Sequence, residues 1–582
     1  HQNYRQIENL RHMRLYGNME WTGLSFHNFF RSEPSYNLQN RVTMNIVQSM
    51  VDTAVSKITK AKPRPYFLTD GGDWTMKRKG KKLTKFVDGA LYNTDFYAKA
   101  AQAFKDAAIF GTGAVKIFMQ DNEIKCERVF IDELMVDDTE AYYGTPRQLH
   151  QRKWVHKDVL KASFPKFKGA IDAASTDLTD GSTTEYVTRQ GDMILVVESW
   201  KLPSGKDAKD GKHAICISNE VLFEEEWTKD YFPFVMWKWN TKPIGFFGRG
   251  IAEELTGIQL EINKILRIIQ VSMHLVSVPK IFVEASSKIV TAHLNNKIGG
   301  IVKYAGQPPI EGKLGSIPPE LFAHLDRLYS RAFEIVGISQ LAAQSQKPAG
   351  LNSGKALRTY MDAESERFQT VQQNYSNGFI LASKIMIDLI KDLAEIDPEF
   401  SMKVPGKKFL ETIKWADVEL ADDQYMLQIF PTSALSQDPA SRLQEVQELL
   451  QAGFISKEDG MKLLDYPDLE SYYNMANAGV EDIEKQIELM VEKQEYQTPE
   501  PYQNLQYGIT KMQQAYLMYR QDGAPEEILD MFRRWIEDAN ELIKKAQAEM
   551  QNQMAQQAAA TQPLGAPAAP PTSDLLPLPT AQ

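Results

Sequence analysis

Four carboxylates, Asp132, Glu133, Asp137 and Asp138, lie within seven positions, the kind of cluster that could hold two metal ions for phosphodiester cleavage. Around them the other parts of an active site are missing. There is no His-Glu-x-x-His pair, no Gly-x-Ser-x-Gly elbow and no kinase signature set. Gly350-Leu-Asn-Ser-Gly354-Lys355-Ala356 has the look of a phosphate-binding loop, but its glycines are one residue too close. Ala356 also stands where a magnesium-holding Ser or Thr is needed. Gly245-Phe-Phe-Gly-Arg-Gly250 lacks dinucleotide spacing, and no ribose-binding acid follows about 20 residues on. Cys126 and Cys216 have no partnering histidines, so neither a zinc site nor a disulfide scaffold is expected, and both read as small buried apolar side chains. The acids of 132–138 sit in a strand-and-turn setting, which favours a solvated turn over a metal centre. The expectation is a chain without catalytic residues, cofactor or metal.

The elements around these residues have a mechanical pattern. From Ile251 to Val276, the residues Ile251, Leu255, Ile258, Ile262, Ile265, Ile269, Met273 and Val276 recur at three and four positions, one stripe along a helix. At 1.5 Å per residue this helix would run roughly 39 Å. Glu253, Glu254, Glu261, Lys264 and Arg267 interrupt it, so it is not read as a membrane span. Short strand-like pieces follow at Lys280, Ile289 and Ile301, punctuated by Gly299-Gly300 and Pro308-Pro309. Pro318-Pro319 then opens a second helix, with Leu321, Phe322, Leu325, Leu328, Tyr329, Phe333 and Val336 on its apolar side. Two helices bracketing a small β-rich insert can pack side by side and carry the insert at their tip.

Upstream, the pattern predicts helices over Tyr4 to Tyr16, Asn40 to Lys60, Lys77 to Tyr92 and Phe96 to Phe110. Strands are expected near Ala114, Gln151, Met193 and His213. The stretch from Gly169 to Gly191 reads as an exposed loop. Downstream, a polar segment from Gln340 precedes a helix expected from about Lys355 to Ile387. Beyond Phe430 the chain is mostly helical, with helices at Ala440 to Gln451, Lys457 to Leu464, Val480 to Glu495, Asn504 to Arg520 and from Pro525 to about Gln557.

Charge is uneven within a net of −10. Ten basic residues face two acidic ones between Lys57 and Lys85, and 19 acidic residues face five basic ones between Asp417 and Glu500. The basic run of Lys77 to Lys85 is read first as a solvated face, with a contact surface for a partner as the alternative. No basic–apolar–cleavage pattern marks the start, so neither secretion nor membrane insertion is indicated. The chain opens at His1 without an initiator methionine, and residues are expected to precede it.

The run from Pro243 to Leu266, the insert after it, and Gly337-Ile-Ser with Leu351-Asn-Ser-Gly-Lys-Ala-Leu-Arg resemble the portal proteins of tailed bacteriophages. Asn40 to Phe67, Tyr92 to Phe118 and Val129 to Asp138 extend the likeness, which covers most of 37–435 through the order and spacing of these segments. The resemblance implies an α+β, mostly helical portal fold. Its parts would be a wing (1–242), a first stem helix (243–278), a small α/β clip (279–317) and a second stem helix (318–337). A tunnel loop, long wing helix and returning strands (338–435) would follow. A helical crown (436–557), with a barrel extension left open, and a disordered Pro- and Ala-rich tail (558–582) would complete the chain. It implies a homo-dodecameric ring at one capsid vertex of the virion, assembled in the host cytoplasm. Double-stranded DNA would pass through it without sequence reading, past Gln344, Gln346, Lys347 and Asn352 in the tunnel loop. Leu255, Ile258, Ile262, Ile265, Ile269, Leu325 and Leu328 would pack between subunits. Lys288, Asn295, Asn296 and Lys297 in the clip would receive the terminase large subunit and then a head-completion or tail adaptor. The major capsid protein and a scaffolding protein are further implied partners, and no membrane is. The rival readings are a metal-dependent nucleic-acid enzyme built on Asp132 to Asp138 and a helical adaptor that is not a portal.

Overall fold

The computed structural model describes residues 2–18, 42–60, 62–69, 74–174, 192–205, 208–277, 280–282, 310–312, 318–338, 368–405, 410–420, 425–430, 439–454 and 470–560. It mixes helix and sheet, with helix predominating, as the α+β reading requires. The chain divides into two compact units, one of 1–68 and 79–434, the other of 69–78 and 435–582.

The first unit begins with α1 (Gln2–Tyr16) and α2 (Ile46–Thr59). The second helix starts six residues later than its apolar pattern suggested, because the Asn45 side chain accepts a hydrogen bond from the Gln48 N–H and caps it there. Strand β1 (Arg64–Thr69) follows. The long α3 (Trp74–Asn93) belongs to the second unit up to Arg78 and to the first from Lys79. Its basic run is less free than a solvated face would be. Lys77 pairs with Asp522 at 3.0 Å, Arg78 donates to the Glu492 carbonyl, Lys79 to the Glu419 carbonyl, and Lys85 pairs with Glu411 at 3.3 Å.

After α4 (Phe96–Phe110) come β2 (Thr112–Gln120), β3 (Glu123–Val129) and a 3-10 turn at Ile131–Glu133. Then follow β4 (Leu134–Met135), β5 (Gln148–His156), α5 (Lys157–Ser163), α6 (Lys168–Ala173), β6 (Met193–Lys201), β7 (Lys212–Ile217), β8 (Glu220–Glu226) and β9 (Phe234–Lys238). β3, β8, β9 and the two short helices lie outside the elements expected from the sequence. The acidic cluster sits in a 3-10 turn at 131–133, the short β4 and the turn after it, in keeping with a strand-and-turn setting. Most of the expected loop from Gly169 to Gly191 lies outside the described residues; its first residues, through Ala173, belong to α6. Two antiparallel sheets result, ordered β3-β2-β9 and β4-β5-β6-β7-β8.

On one face of the five-stranded sheet, a charged belt lies between two apolar clusters, one around Leu149, Trp200 and Phe234, the other around Leu160, Ile194 and Ile217. The buried Lys116 ammonium meets Glu198 and lies 4.8 Å from the Trp200 ring centre. His213 stacks on Trp200 and holds Glu198 with Nε2 at 3.0 Å and Glu225 with Nδ1 at 2.7 Å. The imidazole thereby ties β6, β7 and β8 together.

The unit continues with α7 (Ile251–Ser277), the paired β10 (Lys280–Phe282) and β11 (Ile310–Gly312), and α8 (Pro319–Val336). It closes with α9 (Gln369–Ile396), β12 (Ser401–Pro405), β13 (Leu410–Lys414) and β14 (Tyr425–Phe430); β12 pairs with β13, and β14 with β1. Of the strands expected in the insert, those at Ile289 and Ile301 lie outside the described residues, as does the part of the expected helix over 355–367.

The second unit contains α10 (Pro439–Gln451), α11 (Glu470–Glu492), α12 (Leu505–Gln521) and α13 (Glu526–Ala560). The third of these matches the helix expected from Asn504 to within a residue, with the Asn504 side chain accepting from the Tyr507 N–H as its cap, whereas α11 begins ten residues before its expected start. Ile483, Met490, Met512, Ile528, Phe532 and Trp535 form the core, and Trp535 Nε1 donates to Gln486 Oε1 at 3.0 Å. The expected helix at Lys457 to Leu464 and the tail from residue 561 lie outside the described residues.

Candidate functional site

The α7–α8 pair is anchored by backbone packed on backbone. α4 ends at Gly111, which takes a left-handed φ of 91° and whose N–H donates to the Ala107 carbonyl. A Cβ on Gly111 would lie 2.3 Å from the Gly248 carbonyl oxygen, and one on Gly248 would lie 2.3 Å from that of Gly111. The Gly248 N–H donates to Thr112 Oγ1, and Asn240 and Arg249 form a β-bridge. The glycine-rich lead-in is therefore a close-approach motif that fixes where α7 begins.

Along α7 the chain itself encloses much of the stripe. Ile251, Leu255, Ile262, Ile265 and Ile269 are buried within this one chain, Ile262 at 0% and Ile265 at 3% exposure, and Ile258 is half-buried. α1, α2, α4 and α8 are its neighbours. One polar residue on the flank of the stripe acts as a dock. Gln259 Oε1 accepts from the Ile46 N–H at 2.9 Å, and its Nε2 donates to the Met44 carbonyl at 2.7 Å and to Asn263 Oδ1 at 3.1 Å. The side chain thus satisfies the start of α2 from a helix more than 200 positions away. Nothing in the local pattern singles Gln259 out, although its place four residues after Leu255 puts it beside the apolar stripe.

α8 is covered much less. Pro319 takes the first helical position as expected, and Gly337 closes the helix at φ 79°. Between them only Ala332 and Phe333 are buried; Leu325 and Leu328 are half-buried, and Phe322 and Ile335 are 45% and 47% exposed. On α7, Ile268 and Met273 are exposed as well. Among the described residues, no helix is long and apolar enough to cross a membrane. Gln344, Gln346, Lys347 and Asn352, and likewise Lys288, Asn295, Asn296 and Lys297, lie outside the described residues.

α9, the helix after the polar segment, is pinned along its length. Trp237 Nε1 donates to the Tyr375 carbonyl at 3.1 Å, and the indole lies where a Cβ on Gly378 would fall. About two, three and four turns beyond Gly378, the loop before β9 grips the helix: Asp230 pairs with Lys384, Tyr231 donates to Asp388, and Lys229 pairs with Asp392. Phe96, Phe104, Tyr375 and Phe379 fill the space beneath, with edge-to-face contacts between Phe96 and Phe379 and between Tyr375 and Phe379.

The four carboxylates of the 132–138 cluster are held locally or left in solvent. Asp132 is buried, accepts from Asn9 Nδ2 at 2.5 Å, and has its pKa pushed up to about 6 by that burial. Burial also raises Glu133, which accepts from Gln151 Nε2 at 2.9 Å. The Asp137 carboxylate is held below its usual range by the backbone N–H groups of Glu140 and Thr139, and Asp138 is exposed. Among the described residues, no three His, Cys, Asp or Glu side chains converge as metal ligands would. Cys126 is buried, as expected, whereas Cys216 is only partly so.

A family model described as phage SU10 portal protein matches residues 166–515, more than half of the chain and including α7, α8 and α9. No curated protein matches it.

Proposed function

The chain belongs to the phage SU10 portal protein family, and from that premise we propose that it forms a homo-dodecameric ring at one capsid vertex, through which DNA is packaged and later ejected. The observation that carries the reading is α8: an amphipathic helix with only two residues buried by its own chain. In a ring, the neighbouring copy covers what remains. Heterologous contacts of this kind close when the rotation between copies is right. Because the chain already encloses Ile262 and Ile265, the side chains that distinguish ring from protomer are Ile268, Met273, Phe322 and Ile335.

The insert between α7 and α8, with Lys288, Asn295, Asn296 and Lys297, takes the clip role and receives first the terminase motor and then the head-completion or tail protein. Gln344, Gln346, Lys347 and Asn352, in the segment before α9, meet the DNA. The pinning of α9 supports this, since a loop that must hold position against a moving duplex needs a rigid base. The role is passive: the motor supplies the energy, and a net charge of −10 suits a passage that must not grip phosphates. Beyond Ala539, α13 carries Met550 and Met554 exposed, a face on which copies could continue as a barrel.

The test is the mass of the purified assembly together with negative-stain images. The expected particle is about 0.8 MDa, roughly twelve copies of the 66.1 kDa chain, with a central hole. Phe322→Asp combined with Ile335→Asp is expected to give folded chains that no longer close. A compact dimer without a hole, or closed rings from the double variant, would overturn the reading.

A further inference from the structure

α1 is turned inside out. Tyr4 and Ile7 face solvent at 69% and 64% exposure, while Asn9 and His12 are buried. Arg5, Asn9, His12 and Tyr16, spaced by four, three and four, occupy the stripe where a docked helix normally carries apolar groups. Each but one finds a polar partner. Arg5 Nη2 donates to the Leu134 carbonyl at 2.7 Å, and its guanidinium stacks 3.7 Å above Phe247. Asn9 donates to Asp132, and the Tyr16 hydroxyl donates to Asp52 at 2.9 Å.

The seat does not satisfy what it buries. Arg5 Nε, Gln6 Nε2 and His12 Nδ1 are buried without a hydrogen-bond partner among the described residues. Burial holds the His12 imidazole below its ordinary pKa, with Glu253, Glu8, Arg11 and Lys242 as the surrounding charges. Leu15 is the one apolar side chain of the helix that is fully buried. Exchanging water for partial hydrogen bonding returns little free energy, and an orphaned buried donor costs more than a typical bond contributes. By contrast, α2 and α4 bury seven and eight residues each, nearly all apolar.

We infer that α1 is a strap that opens as a unit while α2, α4 and α7 remain folded, and that its opening uncovers the root of α7 at Phe247 and Glu253. The helix is tied at its far end, where Asn45 Nδ2 donates to the Tyr16 carbonyl and Asn18 to Thr43, so opening swings it away from the root first. Elements with little apolar burial open at free energies far below that of global unfolding. The inference does not depend on ring formation.

Hydrogen exchange followed by mass spectrometry on the full chain, in the assembly it forms, tests this. Peptides within 2–16 are expected to exchange together and about 100-fold sooner than those within 46–59 and 96–110. His12→Phe and Gln6→Met, which replace orphaned polar groups with apolar ones, are each expected to slow exchange of α1 about tenfold and leave α2 and α4 unchanged. A merely frayed helix would show a gradient along its length and no response to these variants. Protection of α1 equal to that of α4, or unchanged exchange in both variants, would overturn the proposal.

Discussion

Two polar regions are buried in the first unit, and they are built to opposite standards. In the belt across the five-stranded sheet, the buried basic groups meet carboxylates: Lys116 meets Glu198, and His213 meets Glu198 and Glu225. The Trp200 indole N–H, which carries no charge, goes without a hydrogen-bond partner among the described residues. In the seat of α1, Arg5 Nε, Gln6 Nε2 and His12 Nδ1 find none there either. Both regions contain a histidine, and the two titrate in opposite directions. Burial would lower His213, but hydrogen bonds to Glu198 and Glu225 prevail and raise it, whereas burial wins at His12. The comparison teaches that satisfaction, rather than polarity, separates a clamp from a strap. A network with its charges matched fixes the register of three strands, while an incomplete one holds a helix only loosely.

The largest effect should come from breaking the clamp. Glu198→Leu leaves Lys116 buried without its counter-charge and is expected to cost about 3–5 kcal/mol in denaturant unfolding. A loss below about 1 kcal/mol would mean the two regions do not differ as argued. Next comes pH. Since His213 is raised in the folded state, its contribution is complete below the unfolded value of about 6.5 and is lost as pH rises through the folded one. The stability gap between the wild type and His213→Gln should therefore be widest at about pH 6 and narrow toward about pH 9; a gap that widened with pH would break the assignment. On the strap side, Asn9→Ala is expected to cost about 1 kcal/mol, seen as faster exchange in α1 with no change in the global midpoint. A shifted midpoint would make α1 part of the cooperative core. The smallest effect is expected for Arg5→Lys, which gives up the planar stack on Phe247 for a loss of about 0.5 kcal/mol by the same readout.

Much of this architecture could be read directly from local pattern. The α7 stripe, the Pro319 start of α8, the Gly111 stop of α4 and the Asn504 cap of α12 all depend on residues within a turn or two of one another. β3 and β8 were not legible because charged residues such as Lys125, Glu127 and the run Glu224 to Glu226 hide the alternation that would mark them, and β9 because Phe234 to Trp237 is a short apolar run without alternation. The candidate site was legible only in outline. The helix pair and its order stood in the sequence, but the periodicity of Ile262 and Ile265 could not say whether their own chain or a neighbouring copy buries them.

The sequence by itself determined which segments are helical, some of their ends, such as the Pro319 start of α8, the order of the segments and, through that order, membership of a portal family, because a helical repeat and its caps are set by neighbours along the chain. Only the tertiary structure decided what each stripe faces. It assigned the basic run of α3 to carbonyls and carboxylates hundreds of positions away, made Gln259 the dock for α2, and turned Asn9 and His12 inward while Tyr4 and Ile7 stayed in solvent. The reason is physical: a hydrogen bond or ion pair is worth something only against a particular partner at a particular distance, and those partners are brought together by the fold rather than by the chain.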